Sequence, residues 1–130
     1  MAKILIVEDE ERIRVLLADF LTTEGYETFQ AADANDANEF LKKKDVDLVL
    51  LDIKMPDVDG GELYEIMQLF HKKVKVIVSS VYPVEEQRKS IIGACDYYEK
   101  SQGIDVLLSK IENALNVKSR TQARRSYVAS

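Results

Sequence analysis

The sequence predicts an α/β protein with one parallel sheet wrapped by helices on both faces. Three observations predict it. Short apolar runs alternate along the chain with segments whose apolar residues recur at helical spacing. The run Leu48-Val49-Leu50-Leu51 is apolar without interruption, the pattern of a strand covered on both faces. Polar or charged residues close these runs, so several strands end in side chains able to do chemistry.

Lys3 to Val7 is the first predicted strand, and it stops abruptly at Glu8, Asp9 and Glu10. A helix follows through about Glu24, with Ile13, Leu16, Leu17, Phe20 and Leu21 at helical spacing. Gly25 closes it, because the left-handed backbone just past a helix end suits glycine. Tyr26 to Gln30 is the second strand, and Asp33 to Lys43 the second helix, with Ala34, Ala37, Phe40 and Leu41 as its apolar stripe. Asp47 to Leu51 is the third strand, ended by Asp52. The turn-rich Met55-Pro56-Asp57-Val58-Asp59-Gly60 precedes a third helical pattern of Leu63, Ile66, Met67 and Phe70. Val74 to Ser80 reads as the fourth strand. Pro83 opens a fourth helix in its first position, where the missing N–H is no loss, and Gly93 stops it. Ala94 to Glu99 is the fifth strand, and Ile104, Leu107, Leu108, Ile111 and Leu115 mark the fifth helix.

Five strands alternating with five helices require right-handed crossovers between parallel neighbours. The expected strand order is 2-1-3-4-5, the flavodoxin-like doubly wound arrangement. Hydrophobic periodicity fades near Val117, so residues 1–117 are expected to form the domain and 118–130 a flexible, solvated tail.

Composition narrows the function. A chain of 130 residues fits one domain with a core of ordinary size, and 46% hydrophobic with 32% charged residues is globular rather than disordered. No run approaches the roughly 20 apolar residues of a membrane span, and the N-terminus lacks a signal-peptide pattern, so a cytoplasmic location is expected. The net charge of −5 is uneven: Lys118, Arg120, Arg124 and Arg125 crowd the tail, leaving residues 1–117 acidic. An acidic body argues against nucleic acid as the main ligand. Cys95 is the only cysteine, which excludes an intramolecular disulfide and a cysteine-based metal site; it is expected to be a small buried core residue. His71, beside Lys72 and Lys73, is expected to complement the dipole at a helix C-terminus.

In an open sheet of this order, ligands bind beyond the carboxyl ends of the strands where the order reverses. The residues there are Glu8 and Asp9 after strand one, Asp52 after strand three, Ser79 and Ser80 at the end of strand four, and Lys100 after strand five. Carboxylates held that close need a cation, and an oxygen-only donor set suits Mg²⁺ or another divalent ion such as Mn²⁺. A phosphoryl group arriving at Asp52 would have cationic charge to stabilise its oxygens and a hydroxyl to hydrogen-bond one of them. Each residue alone is weak evidence, because acids also favour helix N-termini and lysines favour surfaces. Their joint placement at successive strand ends carries the inference.

The stretches Ile4-Leu5-Ile6-Val7-Glu8-Asp9, Leu50-Leu51-Asp52-Ile53-Lys54-Met55-Pro56-Asp57-Val58-Asp59-Gly60, Val76 to Ser80, Gly93-Ala94 and Tyr97-Tyr98-Glu99-Lys100 together resemble the response-regulator receiver family, CheY-like, over roughly residues 2–117. The resemblance implies that Asp52 is the phosphoacceptor and that Asp9, Asp52 and the backbone carbonyl of Lys54 bind the metal directly, with Glu8 acting through a metal-bound water. It implies that Lys100 pairs with the phosphoryl group and that Tyr97 is an aromatic that moves inward when the switch fires. The switch hydroxyl is Ser80 by ungapped spacing from Asp52, with Ser79 as the second choice. The donor would be a sensor histidine kinase or a phosphotransfer protein, and the modified form could dimerise or bind a downstream protein.

Two features depart from the family pattern. Ser101 follows Lys100 where many members carry proline, and the Ser80–Gly93 segment is short, so the fourth helix is expected to be truncated or shifted. Lys54 and Tyr82 would flank the path of hydrolytic water, so a slow-decaying phosphoryl state is expected. The rival flavodoxin-type electron carrier is disfavoured by the acidic loop Glu8-Asp9-Glu10-Glu11, which would repel a flavin phosphate. A haloacid-dehalogenase-type phosphatase would want an aspartate where Lys54 stands. The remaining alternative is a receiver-like adaptor that works without phosphorylation. The expected function is therefore a signalling switch rather than an enzyme, although it would assist its own phosphorylation and dephosphorylation.

Overall fold

Alternation of side chains between two faces organises the sheet. The computed structural model describes residues 1–53, 64–65 and 73–116. Among these residues the order is β1 (Lys3–Val7), α1 (Glu11–Thr23), β2 (Glu27–Ala31), α2 (Ala34–Lys43), β3 (Leu48–Asp52), β4 (Lys75–Ser80), α3 (Val84–Ser90), β5 (Asp96–Glu99) and α4 (Ile104–Leu115). All four strand pairings are parallel, and the spatial order is 2-1-3-4-5, as predicted.

The four apolar residues of β3 are each at most 2% exposed, so both faces are covered. Val49 and Leu51 pack into a core with Leu5, Val7, Val76, Val78 and Tyr97, roofed by Ala37 and Leu41 of α2 and by Ile91 beyond α3. Leu48 and Leu50 pack on the other face with Ile4, Ile6, Ile77 and Tyr98 under Ala18 and Leu21 of α1 and Leu107, Leu108 and Ile111 of α4. Full burial of such side chains contributes about 1.5–3 kcal/mol each, and the central strand therefore anchors its own C-terminal residue, Asp52.

Local chemistry sets the helix ends. Asp33 caps α2 by accepting from the Asp36 N–H at 2.8 Å. Gly25, at φ +99°, closes α1 as the sequence predicts. Pro83 stands one place earlier than expected: it is the N-cap of α3, with ψ 150°, and the helix begins at Val84. An extended ψ at Pro83 leaves its carbonyl free to accept from Glu86 and Gln87, which starts the helix without a side-chain cap. α3 is seven residues long, short as the spacing implied.

Two further expectations resolve differently. The described residues hold four helices rather than five; the third predicted helix lies outside them apart from the helical pair Tyr64 and Glu65. His71 and the tail 118–130 also lie outside the described residues. Cys95 is exposed, not buried: its N–H donates to the Val76 carbonyl at 2.9 Å, but it stands immediately before β5, an edge strand among the described residues.

Candidate functional site

The crevice lies beyond the carboxyl ends of β1 and β3, which are adjacent in the sheet where the strand order reverses. Glu8 follows β1 and is 3% exposed. Its N–H donates to the Ala31 carbonyl at 3.1 Å, and its Oε2 accepts from the Glu10 N–H at 3.1 Å. Arg14, from the first turns of α1, donates to the Glu8 carbonyl at 2.9 Å and to Gln30 Oε1 at 3.2 Å. The turn that carries the two acids is thus pinned to β2 and α1 before any ligand arrives. Asp9, next in sequence, is exposed at the mouth of the crevice.

Asp52 is the last residue of β3, one position inside the strand that the sequence placed before it. It is half-buried, and its ladder partner on β4 is Ser79. Carboxylate oxygens of Glu8, Asp9 and Asp52 lie within 4.8 Å of one another. Lys100, which opens a 3-10 turn after β5, reaches back with Nζ 2.6 Å from Asp52 Oδ1 and 2.9 Å from Glu8 Oε1.

Electrostatics follow from this crowding. Burial pushes the Asp52 carboxyl up from 3.8 to about 7; the bond and charge of Lys100 pull it back, and Glu8 adds to the rise. Desolvation therefore wins over a single ion pair. For Lys100 burial alone would lower the pKa, but its bonds to Asp52 and Glu8 raise it above the ordinary value. Among the described residues the site sets the Lys100 cation against three carboxyl groups, an imbalance that a divalent cation would correct. The donor set is oxygen-only and preassembled, which fits a hard cation such as Mg²⁺ rather than a soft metal.

The two serines point apart. Strand alternation puts Ser80 on the face of Val76, Val78 and the Tyr97 ring, and Ser79 on the face of Ile77. Ser80 is fully buried, and its Oγ accepts from the Tyr82 N–H at 3.2 Å. Tyr97 is 3% exposed, so its ring already occupies an inward position. Its hydroxyl donates to the Ile91 carbonyl at 2.5 Å, and the Arg88 guanidinium lies 4.9 Å from the ring centre. The structure thus gathers Glu8, Asp9, Asp52 and Lys100 in one crevice and sets Ser80 and Tyr97 on a shared face beside it. Lys54, whose carbonyl the sequence reading assigned to the metal, lies outside the described residues.

Two residues escape the sequence reading. Arg14 acts on backbone and side chains of other elements, which periodicity does not reveal. Gln87 is fully buried on the inward side of α3, and its signal was present: a polar residue at the core-facing spacing Val84, Gln87, Ile91.

Comparison with known proteins finds one family. The response regulator receiver domain family matches residues 4–112. Sporulation initiation phosphotransferase F of Bacillus subtilis is 37% identical over 119 residues, spanning 90% of this chain and 96% of that protein. The transcriptional regulatory protein YxdJ of the same organism is 37% identical over 130 residues, and this chain spans 52% of its length. Among solved structures, response regulator protein TrrA of Thermotoga maritima in complex with Mg²⁺ and beryllium fluoride is 35% identical, with TM-score 0.79 over 88% of this chain and 100% of that one. A complex of histidine kinase ThkA with TrrA matches at 32% identity and TM-score 0.75, over 88% of this chain and 99% of the matched one.

Proposed function

The chain belongs to the response regulator receiver domain family, and from that premise we propose that it is a phosphoryl-accepting switch whose acceptor is Asp52. The observation that carries the reading is the ion pair of Asp52 with Lys100 at 2.6 Å inside a cluster of three carboxylates. It supplies a nucleophilic oxygen and a fixed cation at the same point.

Asp9 and Asp52 would hold a divalent cation directly, Glu8 would do so through water, and the Lys54 carbonyl would complete the set. When bound, that cation would neutralise charge on the phosphoryl oxygens. The chain's own residues do the rest. Asp52 would attack as the carboxylate, its new P–O bond forming as the bond from phosphorus to the donor breaks and the donor leaves with that electron pair. Lys100 moves its charge from carboxylate to phosphoryl oxygens, and Arg14 keeps the acidic turn in place while it does so. Because phosphoryl transfer asks for positioning and charge rather than covalent help, this constellation would let the domain assist its own modification without being an enzyme in the ordinary sense.

Modification would add negative charge near Ser80 and give its O–H a new acceptor, drawing Oγ away from the Tyr82 N–H that it now accepts from. Ser80 is preferred over Ser79 because it shares a face with Tyr97. A buried Tyr97 in this structure fits a pre-existing equilibrium that phosphorylation shifts rather than creates. The donor would be the phosphohistidine of a sensor kinase or phosphotransfer protein, in keeping with a similar regulator solved with its histidine kinase. A downstream protein would read the modified state, and a phosphorylation-dependent dimer is one form such reading could take. No helix among the described residues is long and apolar enough to cross a membrane. The basic tail would be dispensable for the chemistry.

Intact-protein mass after incubation with acetyl phosphate tests the reading, comparing wild type with Mg²⁺, wild type with chelator, and Asp52→Ala with Mg²⁺. One phosphoryl adduct that needs both Asp52 and metal is expected. An adduct on Asp52→Ala would contradict the assignment, and no adduct from either acetyl phosphate or a kinase would favour the phosphorylation-independent adaptor.

A further inference from the structure

Gln87 stands on the inward face of α3 at a position whose spacing asks for an apolar side chain, and it is 0% exposed. Its amide nitrogen serves two carbonyls from different elements: Nε2 lies 2.8 Å from the Tyr82 oxygen and 2.9 Å from the Tyr98 oxygen. Two carbonyl neighbours fix the amide's orientation, since only the NH₂ end can donate to both. Oε1 is then left buried with no hydrogen-bond partner among the described residues. An orphaned buried acceptor is unfavourable, and methionine or leucine would fill similar space without it, so packing alone does not explain the glutamine.

Both carbonyls flank residues of the site. Tyr82 lies two positions after Ser80, and its N–H is the donor to Ser80 Oγ at 3.2 Å. Tyr98 lies two positions before Lys100, as the next-to-last residue of β5. The backbone of Gln87 adds a third tie: its carbonyl accepts from the Ile91 N–H at 2.9 Å, and the Ile91 carbonyl accepts from the Tyr97 hydroxyl. One residue thus joins the loop after Ser80, the strand leading to Lys100 and the Tyr97 ring.

We propose that Gln87 is a positioning residue of the switch, whose amide couples the Ser80 loop to the strand end that carries Lys100, so that both respond together when Asp52 is modified. The proposal rests on Asp52 being the phosphoacceptor. When Ser80 Oγ turns to a phosphoryl oxygen, the Tyr82 N–H loses its acceptor. Gln87, already bonded to Tyr82, holds an acceptor that lacks a donor. Pairing of the two would offset both losses and favour the switched state.

The test uses ¹H–¹⁵N spectra of the full chain with Mg²⁺ while beryllium fluoride is titrated in, following the backbone amides of Asp52, Tyr82, Glu99 and Lys100 and the side-chain NH₂ of Gln87. In wild type the Gln87 NH₂ signals are expected to shift with the same midpoint as Asp52. In Gln87→Met, Asp52 and Tyr82 are expected still to respond, while Glu99 and Lys100 lose their coordinated shift and beryllium fluoride binds about two- to tenfold more weakly, the lower part of the range for residues sharing one hydrogen-bond network. If Asp52 responds while Gln87 NH₂ stays unmoved in wild type, the coupling is overturned, and this holds even if Gln87→Met fails to fold. A Gln87→Met protein with wild-type affinity and wild-type shifts at Glu99 and Lys100 would overturn it equally. No response at Asp52 at all would overturn the phosphoacceptor reading, and this inference with it.

Discussion

The ammonium of Lys100 lies 2.6 Å from Oδ1 of Asp52, with Glu8 Oε1 only 2.9 Å from the same nitrogen. The lysine is therefore shared between the proposed acceptor and a neighbouring acid, and it can follow negative charge from one to the other as a phosphoryl group arrives. Replacing it with alanine removes a preorganised donor in a partly buried site, where such donors are worth about two to three orders of magnitude in rate. Lys100→Ala is expected to slow phosphorylation of Asp52 by acetyl phosphate about a hundredfold, measured as adduct formation over time. A rate within a factor of about two of wild type would mean that the contact is structural only.

The acidity of Asp52 gives a pH dependence with a definite sign. Its carboxyl sits at about 7 in the fold against an ordinary 3.8, chiefly because it is buried. Between those values the folded chain keeps a proton that the unfolded chain has released, so this group's contribution to stability is present below 3.8 and is lost as pH rises to about 7. Asp52→Asn is expected to be more stable than wild type above that window in metal-free urea unfolding, with the difference vanishing on its acid side. Calorimetric Mg²⁺ affinity of wild type should rise with pH up to about 7 and then level, because the metal needs the carboxylate. A flat difference across the window would contradict the burial argument.

Ser79 and Ser80 are separated by the alternation of β4, and Ser80 shares its face with Tyr97. Ser80→Ala is expected to leave beryllium fluoride binding at Asp52 in place while abolishing the accompanying shift of the Tyr97 ring signals. Ser79→Ala is expected to keep that shift. The reverse pattern would transfer the switch role to Ser79.

Tyr82 is 41% exposed in the loop after Ser80, and Lys54 follows Asp52 closely in sequence. If both screen the phosphoryl group from water, Lys54→Ala and Tyr82→Ala will each shorten its lifetime, read as loss of the adduct after the donor is removed. Unchanged decay in both variants would dispose of the screening idea.

The strands were legible because burial on two faces leaves a mark that composition alone can carry: Leu48 to Leu51 could hardly be anything other than a central strand. The acids, the serines and Lys100 were legible because a doubly wound sheet brings strand ends together whatever the loops do. What stayed hidden depends on contacts between distant segments. Nothing local to Arg14 says that it will hold the Glu8 carbonyl, and nothing near Gln87 names Tyr82 and Tyr98 as its partners. Cys95 misled for a related reason: its small apolar neighbours resemble a core, but it stands immediately before an edge strand and remains exposed.

The most direct measurement is the location of the phosphoryl group itself. Borohydride reduces an aspartyl phosphate to homoserine, so the chain would be phosphorylated with acetyl phosphate and Mg²⁺, reduced, digested and sequenced by mass spectrometry. Homoserine at position 52 and at no other aspartate is the expected result. Homoserine elsewhere, or aspartate retained at 52 in a chain that carries the adduct, would contradict the assignment of Asp52 as the acceptor.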